Sequence, residues 1–510
     1  MNDLTTKAWR LYEAGTEYNR KLGLYETVRL NEQFYRGDQW KGNAPESLPR
    51  PVFNLTRRIV DFLIGTLSPE KLSIRYSDDR LPYLDTSSVR DTVSEGLRLL
   101  GNHAMYRWKR NHMNELTHRA LLEAAISGDG VFYCWWDSDC DCGQSFCGDI
   151  HTDLVDPVNL FVADPTRADI QSQDYIMLAG RCAVSDLREE ARAAGVGEKE
   201  LSGIRPDDGE NFPDEPSDAE KATYLLRFFR ENGEVFFEKA TRTCVIRRGA
   251  TGMKKYPVAY FNWLPRRGSF HGTSPITELI PNQRYVNVAY AMAMKHMTNA
   301  AFSKVVYDQS RIPEWNNEVG EAIAALGGGN ISDAVSVVGV GQMHDEYLDL
   351  IESVVENTKN MMGATESALG DERATNTSAI LALQEASQIS LKQVNARLCR
   401  CIGELASIWA DMLCANCPPE RLLPISENGT VTAHRVDYAL LGKELLHATA
   451  ETGSTTYFTA SATVTLLDHL LDAGHITVSQ YLQYLPEGCI PDRAALLQEL
   501  NLKGGEVNDQ

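Results

Sequence analysis

Residues 342–362 read QMHDEYLDLIESVVENTKNMM, residues 363–376 read GATESALGDERATN, and the run that follows stays apolar at helical spacing to Met412. In the first stretch Asp345, Asp349, Glu352 and Glu356 are spaced four, three and four apart. On an α-helix that spacing gathers them into one narrow stripe. Leu348, Ile351, Val355 and Met362 fall a quarter-turn or more away and are expected to make the buried side. From Thr377 to Met412 the residues Ile380, Leu383, Leu391, Val394, Leu398, Ile402, Leu405, Trp409 and Met412 keep a helical period. At 1.5 Å per residue that helix would be on the order of 50 Å long, too long for the core of a small compact enzyme. The polar piece between the two runs, bounded by Gly363 and broken by Gly370, reads as a loop.

Working outward, residues 4–36 are expected to form one helix that Gly37-Asp38 stops. Asn54 is placed to cap a second helix whose apolar side is Ile59, Val60, Phe62, Leu63 and Ile64. A third helix is expected over about 86–126, ending at Ser127-Gly128. The pattern then switches to strand: 131–136 is β-branched and aromatic, and 150–155 can return antiparallel to it. Residues 224–229 and 235–237 flank Asn232-Gly233, a strong hairpin signal, and 244–246 and 258–263 are expected to continue that sheet. The stretch 202–221 is rich in Asp, Glu, Pro and Gly and reads as an exposed loop. Pro275 opens a helix that Pro281 kinks or restarts, and from Asn282 to Ser303 alanines alternate with Met292, Met294 and Met297. That composition suits either a buried core helix or one packed against copies of itself. Residues 304–341, two short strands around a polar or helical excursion, sit between two helices and are expected at their tip. Asn428-Gly429 suggests a further hairpin, and helices are expected over 463–471, 478–484 and 491–500.

The totals limit the functions. The chain has 510 residues, 43% hydrophobic and 24% charged, with a formal net charge of −20. That is ordinary for a globular protein of several domains, and it excludes affinity for DNA through overall phosphate neutralisation. No apolar run approaches the roughly 18 residues of a membrane span. The start, MNDLTTK, lacks a basic segment and an apolar core, so the eleven cysteines are expected in a reducing compartment. No phosphate-binding loop of the form GxxxxGK[ST], no GxSxG and no HExxH is present, and no catalytic residue is assigned. Cys140, Cys142 and Cys147, with Cys134 nearby, form the one plausible thiol cluster, but their spacing departs from paired CxxC knuckles. A hairpin tip explains their closeness without metal, and neither a metal nor a cofactor is assigned. Cys414 and Cys417 have CxxC spacing without a βαβ unit around them.

Over 342–373 there are eight acids, namely Asp345, Glu346, Asp349, Glu352, Glu356, Glu366, Asp371 and Glu372, against Lys359 and Arg373. In a monomer such a run is a solvated face. In a cyclic oligomer every acid is multiplied around the axis, and a stripe facing that axis would make an anionic tube that duplex DNA does not cling to.

The order of segments resembles the portal proteins, or head-to-tail connectors, of tailed double-stranded DNA bacteriophages and prophages. The likeness rests on 31–40 (NEQFYRGDQW) with 51–61 (PVFNLTRRIVD), on 272–276 (GTSPI) with 281–287 (PNQRYVN), and on 368–370 (ALG), 376–380 (NTSAI) and 383–387 (LQEAS). It covers nearly the whole chain as loose motifs in order. The resemblance implies an α+β, predominantly helical portal fold in a ring, usually of twelve copies, with an axial DNA channel. By it, 1–269 would be a mixed α/β wing, 270–303 the first stem helix, 304–341 the clip and 342–362 the second stem helix. Residues 363–377 would be a tunnel loop, 378–418 a long wing helix, and 419–510 a crown of C-terminal helices. Asp345, Asp349, Glu352 and Glu356 would line the channel. Glu366, Asp371, Glu372 and Arg373 would sit in the tunnel loop, where Arg373 either touches phosphate or pairs with Glu366 or Asp371. Glu314, Trp315, Glu318 and Glu321 would offer a docking surface for the terminase large subunit and then head-completion or adaptor proteins. Capsid and scaffolding proteins are further partners the likeness implies, with no membrane, in a virion assembled in the bacterial cytoplasm. A virion scaffold without a channel, or a metal-binding enzyme using Cys134–Cys147, are the alternative readings.

Overall fold

The computed structural model describes residues 3–41, 48–69, 72–83, 86–207, 220–301, 304–316, 323–338, 346–364, 377–427, 430–438, 441, 446–452, 457–485, 490 and 496. The chain opens with helices α1 (Asp3–Lys21), α2 (Leu24–Arg36) and α3 (Leu55–Leu67), then strand β1 (Leu72–Asp78) and helices α4 (Ser87–Arg110) and α5 (Met113–Ser127). Strands β2 (Asp129–Asp141), β3 (Cys147–Leu154), β4 (Leu160–Val162) and β5 (Tyr175–Ala183) follow. After α6 (Val184–Ala193) and α7 (Glu198–Leu201) come β6 (Lys221–Glu231), β7 (Glu234–Ala240), β8 (Val245–Ala250) and β9 (Val258–Asn262). Helix α8 (Pro275–Ala301) leads to β10 (Lys304–Tyr307), β11 (Val335–Val338) and α9 (Glu346–Met361). The long α10 (Thr377–Asn416) precedes β12 (Leu422–Glu427), β13 (Thr430–Arg435), β14 (Leu446–Thr452), α11 (Tyr457–Asp472) and α12 (Val478–Tyr484). The composition, 47% helical and 24% strand, is that of a mixed α+β protein. Among the described residues no helix is long and apolar enough to cross a membrane.

Two compact units share the chain: Met1–Arg29 with Leu63–Pro275 and Ala374–Gln510, and Leu30–Phe62 with Ile276–Arg373. In the first, β4 to β8 form an antiparallel five-stranded sheet in sequence order. Its β5 reads YIMLA because both faces are covered. Ile176 and Leu178 join one core with Phe228, Val258 and Phe270, while Met177 and Ala179 pack against Ala8 and Tyr12 of α1. The turn at Asn232-Gly233 has φ of +53° and +78°, as a two-residue hairpin needs.

Helix α10 is buried almost all round from Cys401 to Leu413, which matches its apolar sequence there. Ser407 Oγ accepts from Ala448 N of β14 at 2.9 Å, and Asp411 Oδ2 accepts from Lys254 N and Lys255 N at 2.7 and 2.8 Å. A Cβ at Gly403 would lie 2.6 Å from Ala448 O, so only glycine lets this strand lie so close.

Four expectations are corrected. The helix read over 4–36 is two helices, parted at Gly23 with φ +70°. The helix read over 86–126 breaks at His112, φ +50°, where Trp108 Nε1 donates across the break to Asn114 Oδ1 at 2.6 Å. Strand β9 does not continue the five-stranded sheet; it pairs with β2 in a separate sheet ordered β3-β2-β9. Finally, 419–510 is not purely helical. The hairpin expected about Asn428-Gly429 is there as β12 and β13, and the strand not expected is β14, which pairs antiparallel with β1 in the register Leu72↔Thr452 to Asp78↔Leu446. All of the expected helix over 491–500 but Leu496, and most of the loop over 202–221, lie outside the described residues.

Candidate interaction surface

The second unit is built on a net of amides that joins several of the sequence motifs quoted above. Asn31, fully buried, donates from Nδ2 to Thr277 Oγ1 at 3.0 Å, and that hydroxyl approaches Asn31 Oδ1 at 3.1 Å. Gln283 Oε1 accepts from Thr56 N at 3.0 Å, and its Nε2 donates to Phe53 O and Asn287 Oδ1, both at 2.9 Å. Asn287 Nδ2 donates to Gln39 Oε1 at 2.6 Å, and Gln39 Nε2 donates to Asn54 Oδ1 at 3.2 Å. Asn54 also caps α3, accepting from Arg57 N at 3.0 Å, as its place in the sequence predicts. Trp40 Nε1 donates to Pro51 O at 2.8 Å. Polar side chains buried in this way hold the start of α8 in one register, because each would cost free energy if left unpaired.

From this root α8 runs out, β10 and β11 pair antiparallel, and α9 returns, with Asn282 Nδ2 donating to Thr358 Oγ1 at 3.0 Å between the two helices. Pro281 lies inside a continuous α8. Beyond Ala291 this helix is largely uncovered: Met292 is 58% and Met297 59% exposed. In this chain it is therefore not a core helix over that half. Arg284 lies over the Phe34 ring, 5.3 Å from its centroid.

On α9 the contact with its own chain is a thin line, Ile351 and Thr358. Asp349, Glu352 and Glu356 are exposed on roughly the opposite side, as the spacing dictates. Leu348 was expected on the buried side but is 45% exposed, and Leu350 and Tyr347 are exposed as well. Of the expected helix over 342–362, Glu346–Met361 is helical, and 342–345, Asp345 among them, lie outside the described residues.

At the tip, Asp308 N donates to Ala334 O at 2.9 Å and Leu326 N to Arg311 O at 2.7 Å, closing the β10–β11 pair. Trp315 is half-buried and stacks on Tyr307, centroids 5.3 Å apart at 24°, so it is partly spent on its own unit; Glu314 is exposed. Glu318 and Glu321 lie outside the described residues, as do Glu366, Asp371, Glu372 and Arg373. The described parts of 314–326 contain no helix.

The thiols are not gathered. Cys134 is buried with its Sγ 3.5 Å from Thr152 Oγ1, and burial pushes it up to about 12. Cys142 donates to Phe146 O at 2.9 Å, while Cys147 is exposed. Burial also pushes Cys417 up to about 11, the opposite of what a reactive CxxC thiol needs. The amide net was missed from sequence, although Gln283 and Asn287, one helical turn apart beside Val286 and Ala291, carry its signal.

Comparison with known proteins gives one family. Residues 230–436 match the family model of the Phage P22-like portal protein, so the resemblance read from the sequence holds over that segment. Among solved structures, the chain is similar to one from "Virion of native gene transfer agent (GTA) particle", at 10% identity and a TM-score of 0.40, covering 90% of this chain and 93% of that one. No curated protein matches.

Proposed function

We propose that this chain is a structural subunit of a phage-type portal: a ring at one capsid vertex through which double-stranded DNA enters and leaves. The family matched over 230–436 is structural rather than enzymatic. The observation that carries the reading is α9, whose acids Asp349, Glu352 and Glu356 point away from its own chain while apolar side chains on its flanks stay uncovered. A lone helix in water has no use for bare Leu348 and Leu350 on the flanks of a carboxylate stripe, or for bare Tyr347 on the face of Ile351. Neighbouring copies around an axis would cover the flanks and leave the stripe facing the centre. There it repels phosphates, so duplex slides rather than sticks.

In this proposal α8 and α9 are the stem, 304–341 the clip, 363–377 the tunnel loop, 378–418 the long wing helix, 1–269 the wing and 419–510 the crown. Glu314 and the rest of the clip face the terminase large subunit and later the adaptor proteins. Capsid and scaffolding proteins contact the outside of the ring in a particle assembled in the bacterial cytoplasm. The test is negative-stain imaging and light scattering of the purified chain. Closed rings with an axial hole support the reading, whereas monomers or filaments overturn it.

A further inference from the structure

The β2–β3 hairpin carries a donor set that its thiol spacing did not suggest. Its register runs regularly to Asp137↔Asp149 and resumes at Asp141↔Cys147, so residues 138–140 bulge opposite Gly148 alone. A Cβ at Gly148, φ +120°, would lie 2.5 Å from the Trp136 ring, which makes glycine necessary for the bulge to close. The bulge brings Cys140 back over Asp137 and the cross-strand His151: Sγ, a carboxylate oxygen and a ring nitrogen all lie within 4.8 Å of one another. His151 Nε2 is 3.6 Å from Asp137 Oδ2. Two ligands at 2.0–2.1 Å from a tetrahedral zinc ion stand about 3.3 Å apart, so this pair is already near ligating separation.

The donors are also held in place. Asp137 Oδ1 accepts from Asp139 N at 3.0 Å, which turns Oδ2 toward the imidazole. Trp135 stacks on the His151 ring, 5.5 Å between centroids at 21°. Beyond the bulge, Gln144 exchanges two hydrogen bonds with the Leu422 backbone, at 2.9 and 3.0 Å, so the hairpin tip is tied to β12.

We propose that Asp137, Cys140 and His151 bind one zinc ion at the neck of this hairpin, with the fourth position open to water. A thiolate, an imidazole and a carboxylate together favour zinc over magnesium or calcium, which prefer oxygen alone. Binding converts the Cys140 thiol to a zinc thiolate and releases its proton to solvent, so occupancy rises with pH. The ion acts as a staple that fixes the bulge. Cys134, Cys142 and Cys147 take no part.

Cobalt is the probe. The purified full chain, stripped with chelator under reducing conditions, is titrated with Co²⁺ and followed by the thiolate-to-cobalt charge-transfer band in the near ultraviolet. The expected result is one Co²⁺ per chain, displaced by Zn²⁺. The band is lost in Cys140→Ser, affinity falls roughly tenfold or more in His151→Ala, and Cys142→Ser and Cys147→Ser behave as the parent. All four side chains are at least partly exposed, and circular dichroism checks that the variants fold. A chain that shows no band, or a band that survives Cys140→Ser, overturns the assignment.

Discussion

Gly272 stands in the GTSPI motif because of what it touches: a Cβ there would lie 2.6 Å from Gly128 O and 2.8 Å from Leu264 O. Beside it, fully buried Asp129 accepts from Tyr260 Oη, Gly272 N and Asn262 Nδ2 and pairs with His271 Nδ1 at 2.7 Å. Gly272→Ala is therefore expected to cost about 1–3 kcal/mol in denaturant unfolding, as overpacking does, while Gly268→Ala, open around its Cβ but at φ +68°, would report the smaller cost of backbone strain alone. Glu404 gives a pH signature. Burial, and then Asp169, push its carboxyl up to about 7, with Lys255 opposing. A carboxyl raised on folding supports stability in full below its unfolded value near 4.3 and loses that support as pH rises through about 7. Glu404→Gln should flatten the fall in thermal midpoint between pH 5 and about 8; an unchanged slope would remove Glu404 as its source. At this scale the motif glycine was visible in the sequence but its reason was not, because Gly128 and Asp129 lie far away along the chain.

Among the elements, α10 was legible because its apolar period is unbroken over many turns, and the Asn232-Gly233 hairpin because the dipeptide itself supplies positive φ. The break at His112 carried no glycine or proline to announce it, and β1 was hidden because its partner β14 comes near the other end of the chain. Trp409 is 1% exposed and donates to Thr152 Oγ1 at 3.0 Å, so Trp409→Ala should cost about 3–5 kcal/mol. In the second unit, Gln283→Leu removes the acceptor for Thr56 N and the donor to Asn287, and should cost about 1–3 kcal/mol through the unpaired groups left behind. Hydrogen exchange at Thr56 N would report that loss directly: faster exchange is expected, and unchanged protection would mean another group accepts from it.

At the scale of the whole molecule the charge and the apolar surface argue together. The chain carries a formal net charge of −20, yet α8, β10, β11 and α9 leave Met292, Met297, Val306, Val337 and Leu350 uncovered. The acid stripe was readable from spacing alone. That Leu348 stays exposed was not, because a single sequence does not say whether a second apolar side meets its own chain or another copy. Changing Asp345, Asp349, Glu352 and Glu356 to Lys should leave ring mass unaltered and stall DNA packaging; undiminished packaging would take these acids off the channel wall. An electron-microscopy reconstruction of the purified chain tests the central claim most directly. The account predicts a closed ring whose axial hole is lined by Asp349, Glu352 and Glu356 of every copy. A solitary chain with those carboxylates in bulk solvent, or a ring with them on its outer rim, would contradict it.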